Sequence, residues 1–177
     1  MGDSASLASG NPHWFIQIAR ARQAGRTCLP WQLGLDSPDY RQLASRHALP
    51  LPSEAELAAD LREELLGLRR DEWAEIRNLL LEGQPQPEPE HHWMAAIVAA
   101  GCLGGDHLWR DLGLESRQQL RELLLYNFPE VAGHNVQNMR WKRFFYKQLC
   151  ERGGSYVCRA PSCEQCSTRD ECFGEEH

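Results

Sequence analysis

The chain has 177 residues and a formal net charge of −6, which argues against a protein whose main partner is nucleic acid, because binding to phosphate backbones needs a concentrated basic surface. A chain of this length buries roughly 70% of its unfolded surface on folding, so its bulk needs neither a metal nor disulfides to fold. No stretch is apolar and long enough to cross a membrane, and no signal peptide opens the sequence. We therefore expect a cytoplasmic protein without a membrane partner.

Residues 1–11 are small and polar and are predicted to be disordered. An N-terminal helical half is predicted over residues 12–83. Its first helix begins at Pro12 and ends before Gly25, and its second has Asp36 or Ser37 near its N-cap.

A capping box predicts the start of the third helix, because Ser53 is followed three residues later by Glu56. Four leucines then repeat at helical spacing as far as residue 68: Leu57, Leu61, Leu65 and Leu68. A fourth helix is predicted to begin at Asp71 and to end at Gly83.

Residues 84–90 read QPQPEPE. Alternating prolines fix the backbone angle and remove hydrogen-bond donors, so an extended linker is predicted here. A C-terminal helical half follows over residues 91–153. It contains a strongly apolar helix, short helices from Asp106 and Ser116, and a last helix from Pro129 to Arg152. No run of alternating β-branched residues indicates a strand, so the predicted fold class is all-α.

Four cysteines lie close together in the tail, residues 154–177. Cys158, Cys163, Cys166 and Cys172 follow the spacing C-x4-C-x2-C-x5-C. The proline, serine and charged residues between them are typical of an irregular loop, which can turn several thiolates toward one point. At ~3.5 Å per residue the five-residue gap is long enough to wrap a small cluster.

Three chemistries compete for these cysteines. Structural zinc sites usually combine two short pairs from separate arms, whereas only Cys163 and Cys166 form such a pair here. Iron–sulfur ligation fits the spacing better, because the first three cysteines match a ferredoxin-like pattern and the fourth follows at once. Disulfides are disfavoured in the reducing cytoplasm. The spacing therefore favours an iron–sulfur-type cluster and leaves zinc as the alternative.

The segment NMRWKRFFYKQLCERGGSYVC, followed by these cysteines and FG, resembles the C-terminal region of the NifQ family. The segments GCLGGDHLWRDLGL and SRQQLRELL are similar to the middle region of that family, so the resemblance covers approximately residues 90–174. It implies a molybdenum-handling protein of nitrogen fixation. The family's ligand motif falls on Cys158, Cys163, Cys166 and Cys172.

The resemblance further implies a carrier rather than an enzyme. Its cofactor would be an iron–sulfur cluster, either a Mo–Fe–S cubane or a 4Fe–4S cluster, with molybdate as the source of molybdenum. The implied partners are the scaffold proteins that assemble the nitrogenase iron–molybdenum cofactor and the nitrogenase iron protein. The sequence itself contains no catalytic triad and no phosphate-binding loop that would indicate an enzyme.

Molybdate is a hard dianion that thiolates repel, so its binding calls for positive charge and hydrogen-bond donors nearby. Arg140, Arg143 and Lys147 form a stripe at helical spacing, and Arg159 lies in the tail. We interpret these four residues as a candidate patch for an oxyanion or an acidic partner. A solvated helix face is the alternative interpretation, and the apolar residues of the same helix are predicted to enter the core.

The other cysteines and the histidines are given structural roles. Cys28 and Cys102 are interpreted as small core residues, and Cys150 as a residue buried against its own helix or a spare ligand. We favour structural roles for His91, His92, His107 and His134, with Asp106 capping the helix that contains His107. The aromatic residues Trp93, Trp109 and Trp141 are predicted to lie in the core.

Two other functional classes remain open. Some DNA glycosylases are helical and end in a four-cysteine cluster loop, but their first spacing has six residues where this chain has four, and the acidic balance opposes DNA binding. The second class is a protein-interaction module with a structural zinc or 4Fe–4S tail.

Overall fold

The computed structural model describes residues 10–84, 88–153 and 169–176, and every regular element within these ranges is a helix. The all-α fold class is therefore confirmed for the described residues. In those ranges, no helix combines the length and apolarity that a membrane span requires.

Five helices precede the proline-rich segment: α1 (Asn11–Gln23), α2 (Ser37–His47), α3 (Glu54–Ala58), α4 (Leu61–Leu68) and α5 (Arg70–Leu81). The predicted caps are present. Asp36 accepts a hydrogen bond from the amide of Asp39 at 2.9 Å. Ser53 and Glu56 form both bonds of the capping box, at 3.1 and 2.7 Å.

The predicted third helix is divided at Asp60, which begins α4 and separates it from α3. The buried carboxylate of Asp60 accepts hydrogen bonds from the amides of Trp31 at 2.6 Å and Glu63 at 3.4 Å. This division leaves the leucine repeat largely in solvent, with Leu68 82% exposed, whereas Leu66 enters the core. The repeat therefore does not mark the buried face of these helices.

The helices of both predicted halves share one hydrophobic core. The long helix α6 (Pro89–Cys102) begins within the predicted linker and is buried continuously from Trp93 to Cys102. It packs against α5, where the indole nitrogen of Trp73 donates to the carbonyl of Ala96 at 3.0 Å. Residues 85–87 of the predicted linker lie outside the described ranges.

Three shorter helices follow: α7 (Leu108–Asp111), α8 (Arg117–Asn127) and α9 (Pro129–Gly133). The helix predicted from Ser116 is α8, and Ser116 caps it by accepting a hydrogen bond from the amide of Gln119 at 3.1 Å. Asp106 does not cap α7, because His107 occupies the N-cap position and the Asp106 carboxylate instead accepts from the His107 amide.

The prediction of one long helix from Pro129 to Arg152 is wrong. The chain leaves α9 at Gly133 and begins α10 (Trp141–Glu151) only after a turn. Asn135 stabilises this turn, because its side-chain amide bonds both the N–H and the C=O of Met139 at 2.8 Å. Asn138 adopts the left-handed conformation with φ of 55°, which asparagine tolerates better than most residues.

The apolar face predicted for the last long helix is confirmed in α10, where Trp141, Phe144, Phe145 and Leu149 are buried. On its other side α10 is joined to α5 by a hydrogen bond from the Tyr146 hydroxyl to Glu72. A final short helix, α11 (Arg169–Phe173), lies beyond the undescribed residues 154–168.

Candidate functional site

One of the four predicted metal ligands belongs to the described structure. Cys172 is partly buried in α11 and packs against the hydrophobic core. Cys158, Cys163, Cys166 and Arg159 lie outside the described residues. Within residues 10–84, 88–153 and 169–176 no group of three or more histidine, cysteine or acidic side chains is arranged to hold a metal ion.

The start of α10 binds the end of α11. The backbone amide of Arg140 donates to the carbonyl of Cys172 at 2.6 Å. Its guanidinium donates to three further carbonyls: Glu171 at 2.6 Å, Glu175 at 3.2 Å and Gly174 at 3.3 Å. Arg140 therefore contacts the backbone on both sides of the candidate ligand.

A buried carboxylate makes a second attachment a few residues further on. The Glu176 side chain is only 3% exposed and lies 3.3 Å from Arg117 Nε and 3.9 Å from His107 Nδ1. Arg117 also donates to the carbonyls of Asn138 and Met139. Arg117, the first residue of α8, therefore joins the C-terminal segment to the turn that precedes Arg140.

A cleft of about 370 Å³ opens beside this segment. It lies between the loop of residues 105–108 and the start of α10, with Glu171 and Glu176 at its edge. Lys142 lines the cleft but forms an ion pair with Asp111 and donates to the carbonyl of Gly104 at 2.8 Å. The positive charge at this end of α10 is therefore partly balanced by groups of the chain itself.

The predicted basic stripe does not form one uniform surface. Arg140 precedes α10 and is bound to carbonyl oxygens, as described above. Arg143 is half exposed, with its guanidinium 3.9 Å from Glu171, and the Lys147 ammonium lies 3.8 Å from Glu151. Among the described residues, Arg143 is thus the exposed member of the patch and Lys147 is partly exposed.

Cys28 and Cys102 have surroundings that favour the neutral thiol. Burial raises the pKa of Cys102 to about 12, and burial together with the nearby Asp111 carboxylate raises the pKa of Cys28 to about 11. The Cys28 sulfur faces the carbonyls of Ala100 and Gly101 at 3.8 Å. Both residues therefore fit the predicted core role, whereas Cys150 is partly buried in the last turn of α10.

The four histidines do not converge on one point in the structure. His91 and His92 lie in the first turns of α6, and His134 is exposed after α9. His107 alone among them lines the cleft beside α11, next to Glu176. The aromatic prediction is confirmed for Trp93 and Trp141, which are buried, while Trp109 is partly buried against the core.

The contacts of this region do not follow from the sequence pattern. Arg117 and Glu176 are separated by fifty-nine positions, and nothing in the segment SRQQLRELL indicates that its first arginine meets residue 176. Gly174 belongs to the FG that follows the last cysteine, but its close approach to Arg140 is seen only in the structure.

The sequence model of the NifQ family matches residues 14–174. Protein NifQ of Azotobacter vinelandii is 56% identical over 174 residues, covering 94% of this chain and 89% of that protein. Protein NifQ of Klebsiella pneumoniae is 37% identical over 90% of this chain and 96% of its own length. Protein NifQ of Rhodobacter capsulatus is 38% identical over 90% of this chain and 86% of its own length. No solved structure matches the chain.

Proposed function

Because the chain belongs to the NifQ family, we propose that it carries molybdenum and donates it for synthesis of the nitrogenase iron–molybdenum cofactor. Family membership supports a role in nitrogen fixation. The molybdenum is cargo, held with iron and sulfide by four thiolates. Cys158, Cys163, Cys166 and Cys172 are the proposed ligands.

One observation carries this proposal: the family match extends to residue 174 and so includes all four cysteines at their C-x4-C-x2-C-x5-C spacing. Thiolates are suitable ligands for sulfide-bridged iron and for reduced or sulfurated molybdenum. The structure supports the proposal at Cys172, whose helix is bound to the body of the protein at the carbonyls on either side of it.

The proposed reaction is transfer rather than turnover. The chain takes up molybdenum from molybdate, holds it in a Mo–Fe–S or Fe–S cluster, and passes it to the cofactor assembly scaffold and the iron protein in the cytoplasm. We propose that the positive charges of Arg143 and Lys147 attract molybdate. Exposed ion pairs contribute only about 0–1 kcal/mol each, so Glu171 and Glu151 compete weakly with an incoming dianion.

Elemental analysis of protein purified without oxygen tests the proposal. We expect iron, acid-labile sulfide and molybdenum together with visible absorption. We also expect reduced iron content when any of the four tail cysteines is replaced by alanine. A colourless protein that contains one zinc ion would support the interaction module and contradict the carrier.

The anion patch is tested separately by the double variant Arg143→Gln/Lys147→Gln. Removing both charges should reduce molybdenum loading from molybdate while iron loading is retained. The matched control is Arg41→Gln/Arg46→Gln, which removes two cations from α2. Equal molybdenum uptake by the patch variant and the control would exclude the patch.

A further inference from the structure

We propose that Arg140 is a positioning residue for the cluster: its side chain fixes the end of α11 and so holds the Cys172 thiolate in place for the metal. The inference rests on the proposed function, because it assigns Arg140 a role at the same site. It replaces the expectation that Arg140 binds the oxyanion directly.

Arg140 makes several hydrogen bonds to one short segment of the chain. A guanidinium has five N–H donors in a planar fork, and Arg140 directs it at the carbonyls of Glu171, Gly174 and Glu175. With the backbone bond to Cys172, four carbonyl oxygens between residues 171 and 175 accept from this one residue.

The short helix α11 depends on contacts outside itself. A helix of five residues is too short to be stable by itself, because helix nucleation is costly. The last four carbonyls of any helix also lack partners within it. Arg140 supplies donors to two of these carbonyls, those of Glu171 and Cys172, and to the carbonyls of Gly174 and Glu175 just beyond the helix. It also places a positive charge at the negative end of the helix. The conformation of the Cys172 backbone therefore depends on Arg140.

Arg140 also fits closely against Gly174. The Gly174 amide closes the last turn by donating to the carbonyl of Asp170 at 2.9 Å. A Cβ at this position would lie 2.7 Å from the Asp170 carbonyl oxygen and 3.0 Å from Arg140 Nη2. A side chain here would push against the Asp170 carbonyl and crowd the guanidinium, so glycine favours the contact between Arg140 and this turn.

The consequence for the cluster is geometric. A metal ligand functions when its atoms are held within about 0.5 Å of the required position by neighbouring groups. Without the Arg140 side chain, α11 loses three hydrogen bonds to its carbonyl end. It keeps the backbone bond of Arg140, the packing of Cys172 and Phe173 against the core and the attachment through Glu176. We therefore expect the Cys172 sulfur to remain near the cluster but to bind it less persistently.

A double-mutant cycle tests the inference. Arg140→Ala, Cys172→Ser and the double variant are purified without oxygen, and loss of visible absorption is followed after adding an iron chelator. We expect Arg140→Ala to lose the cluster about tenfold faster than the unmodified protein. In the Cys172→Ser background the same substitution should cause no further acceleration, because the ligand through which Arg140 acts is absent.

Two additional variants separate positioning from general folding. Arg140→Lys keeps the charge but offers one ammonium group, so it should restore only part of the cluster lifetime. Gly174→Ala should accelerate cluster loss as well, and it should do so less in the Arg140→Ala background. Arg41→Ala is the matched control, because it removes an arginine-to-carbonyl bond of 3.2 Å on α2 and should leave cluster lifetime unchanged.

Two results would overturn the inference: an unchanged cluster lifetime in Arg140→Ala, or an equal acceleration in the presence and absence of Cys172. If the purified chain holds zinc instead of iron, the proposed function fails. The same double-mutant cycle, measured as the rate of zinc release, then tests the positioning role of Arg140 independently. Hydrogen exchange of the Gly174 amide in the metal-free protein provides a further check, since it should be faster in Arg140→Ala than in Arg41→Ala.

Discussion

The ion pair between Lys142 and Asp111 joins the start of α10 to α7, and its loss should destabilise the whole domain. The two side chains are only 17% and 10% exposed. Lys142 also donates to the carbonyl of Gly104 at 2.8 Å, and Asp111 accepts from the amide of Asp106 at 3.0 Å. Replacing Lys142 with methionine leaves the Asp111 carboxylate nearly buried and without its cation.

The size of the effect follows from this burial. Removing one partner of a fully buried pair costs about 3–5 kcal/mol, and the residual exposure places this pair near ~3 kcal/mol. Each kcal/mol lowers the unfolding temperature of a domain of this size by roughly 2–4 °C. Lys142→Met should therefore unfold roughly 6–12 °C below the unmodified protein.

Thermal unfolding of the metal-free protein, followed by helical circular dichroism, measures the shift. The variant Lys142→Met/Asp111→Asn is the decisive comparison, because asparagine is neutral and keeps an acceptor for the Asp106 amide. It should recover at least half of the lost stability. The reasoning is refuted if the single variant unfolds within about 2 °C of the unmodified protein, or if the double variant is no more stable than the single one.

Three more predictions concern pH, packing and thiol chemistry. Hydrogen bonds from Arg69 hold the pKa of Glu72 below its usual value. The stability from this lowered pKa is present above the unfolded pKa of about 4.3 and is lost as pH falls through the folded pKa. Glu72→Gln should therefore flatten the acid side of the curve of unfolding free energy against pH. Superimposable curves for the variant and the unmodified protein would contradict this. Gly113→Ala should lower the unfolding temperature, because φ of Gly113 is 73° and the new Cβ would overlap that of Ala21. Gly67→Ala has open space around the new Cβ and should raise the unfolding temperature slightly. Equal unfolding temperatures of the two variants would contradict this prediction. Because the pKa of Cys28 is raised to about 11, its thiol should react slowly with an alkylating reagent at neutral pH. Cys28→Ala should also retain full iron content. Loss of iron in that variant would assign Cys28 to the cluster.

Features set by neighbouring residues could be predicted from the sequence. The capping box at Ser53, the N-cap at Asp36 or Ser37 and the helix start at Ser116 were predictable, because an N-cap depends on a side chain and an amide two or three positions away. The buried face of α10 was predictable for the same reason, since helical spacing alone places Trp141 and Phe145 on one side.

Features set by distant contacts could not be predicted in this way. The leucine repeat after Ser53 satisfies helical spacing, yet Asp60 is required by the Trp31 amide and divides the helix. The turn between α9 and α10 depends on side-chain bonds of Asn135 that helix propensity does not reveal.

The candidate site also combines features set by neighbouring residues with features set by distant contacts. Helical spacing grouped Arg140 with Arg143 and Lys147, but Arg140 lies outside the helix and bonds to residues more than thirty positions away. The attachment of Glu176 to Arg117 is likewise visible only in three dimensions. The cysteine spacing identified the proposed ligands, and the structure adds how Cys172 is held.

X-ray absorption at the molybdenum edge tests the central claim most directly, on protein loaded with molybdate without oxygen and under reducing conditions. We predict that sulfur and iron surround molybdenum, and that this signal is lost when Cys158, Cys163, Cys166 and Cys172 are replaced together. Molybdenum surrounded only by oxygen, or an unchanged spectrum in the four-cysteine variant, would contradict it.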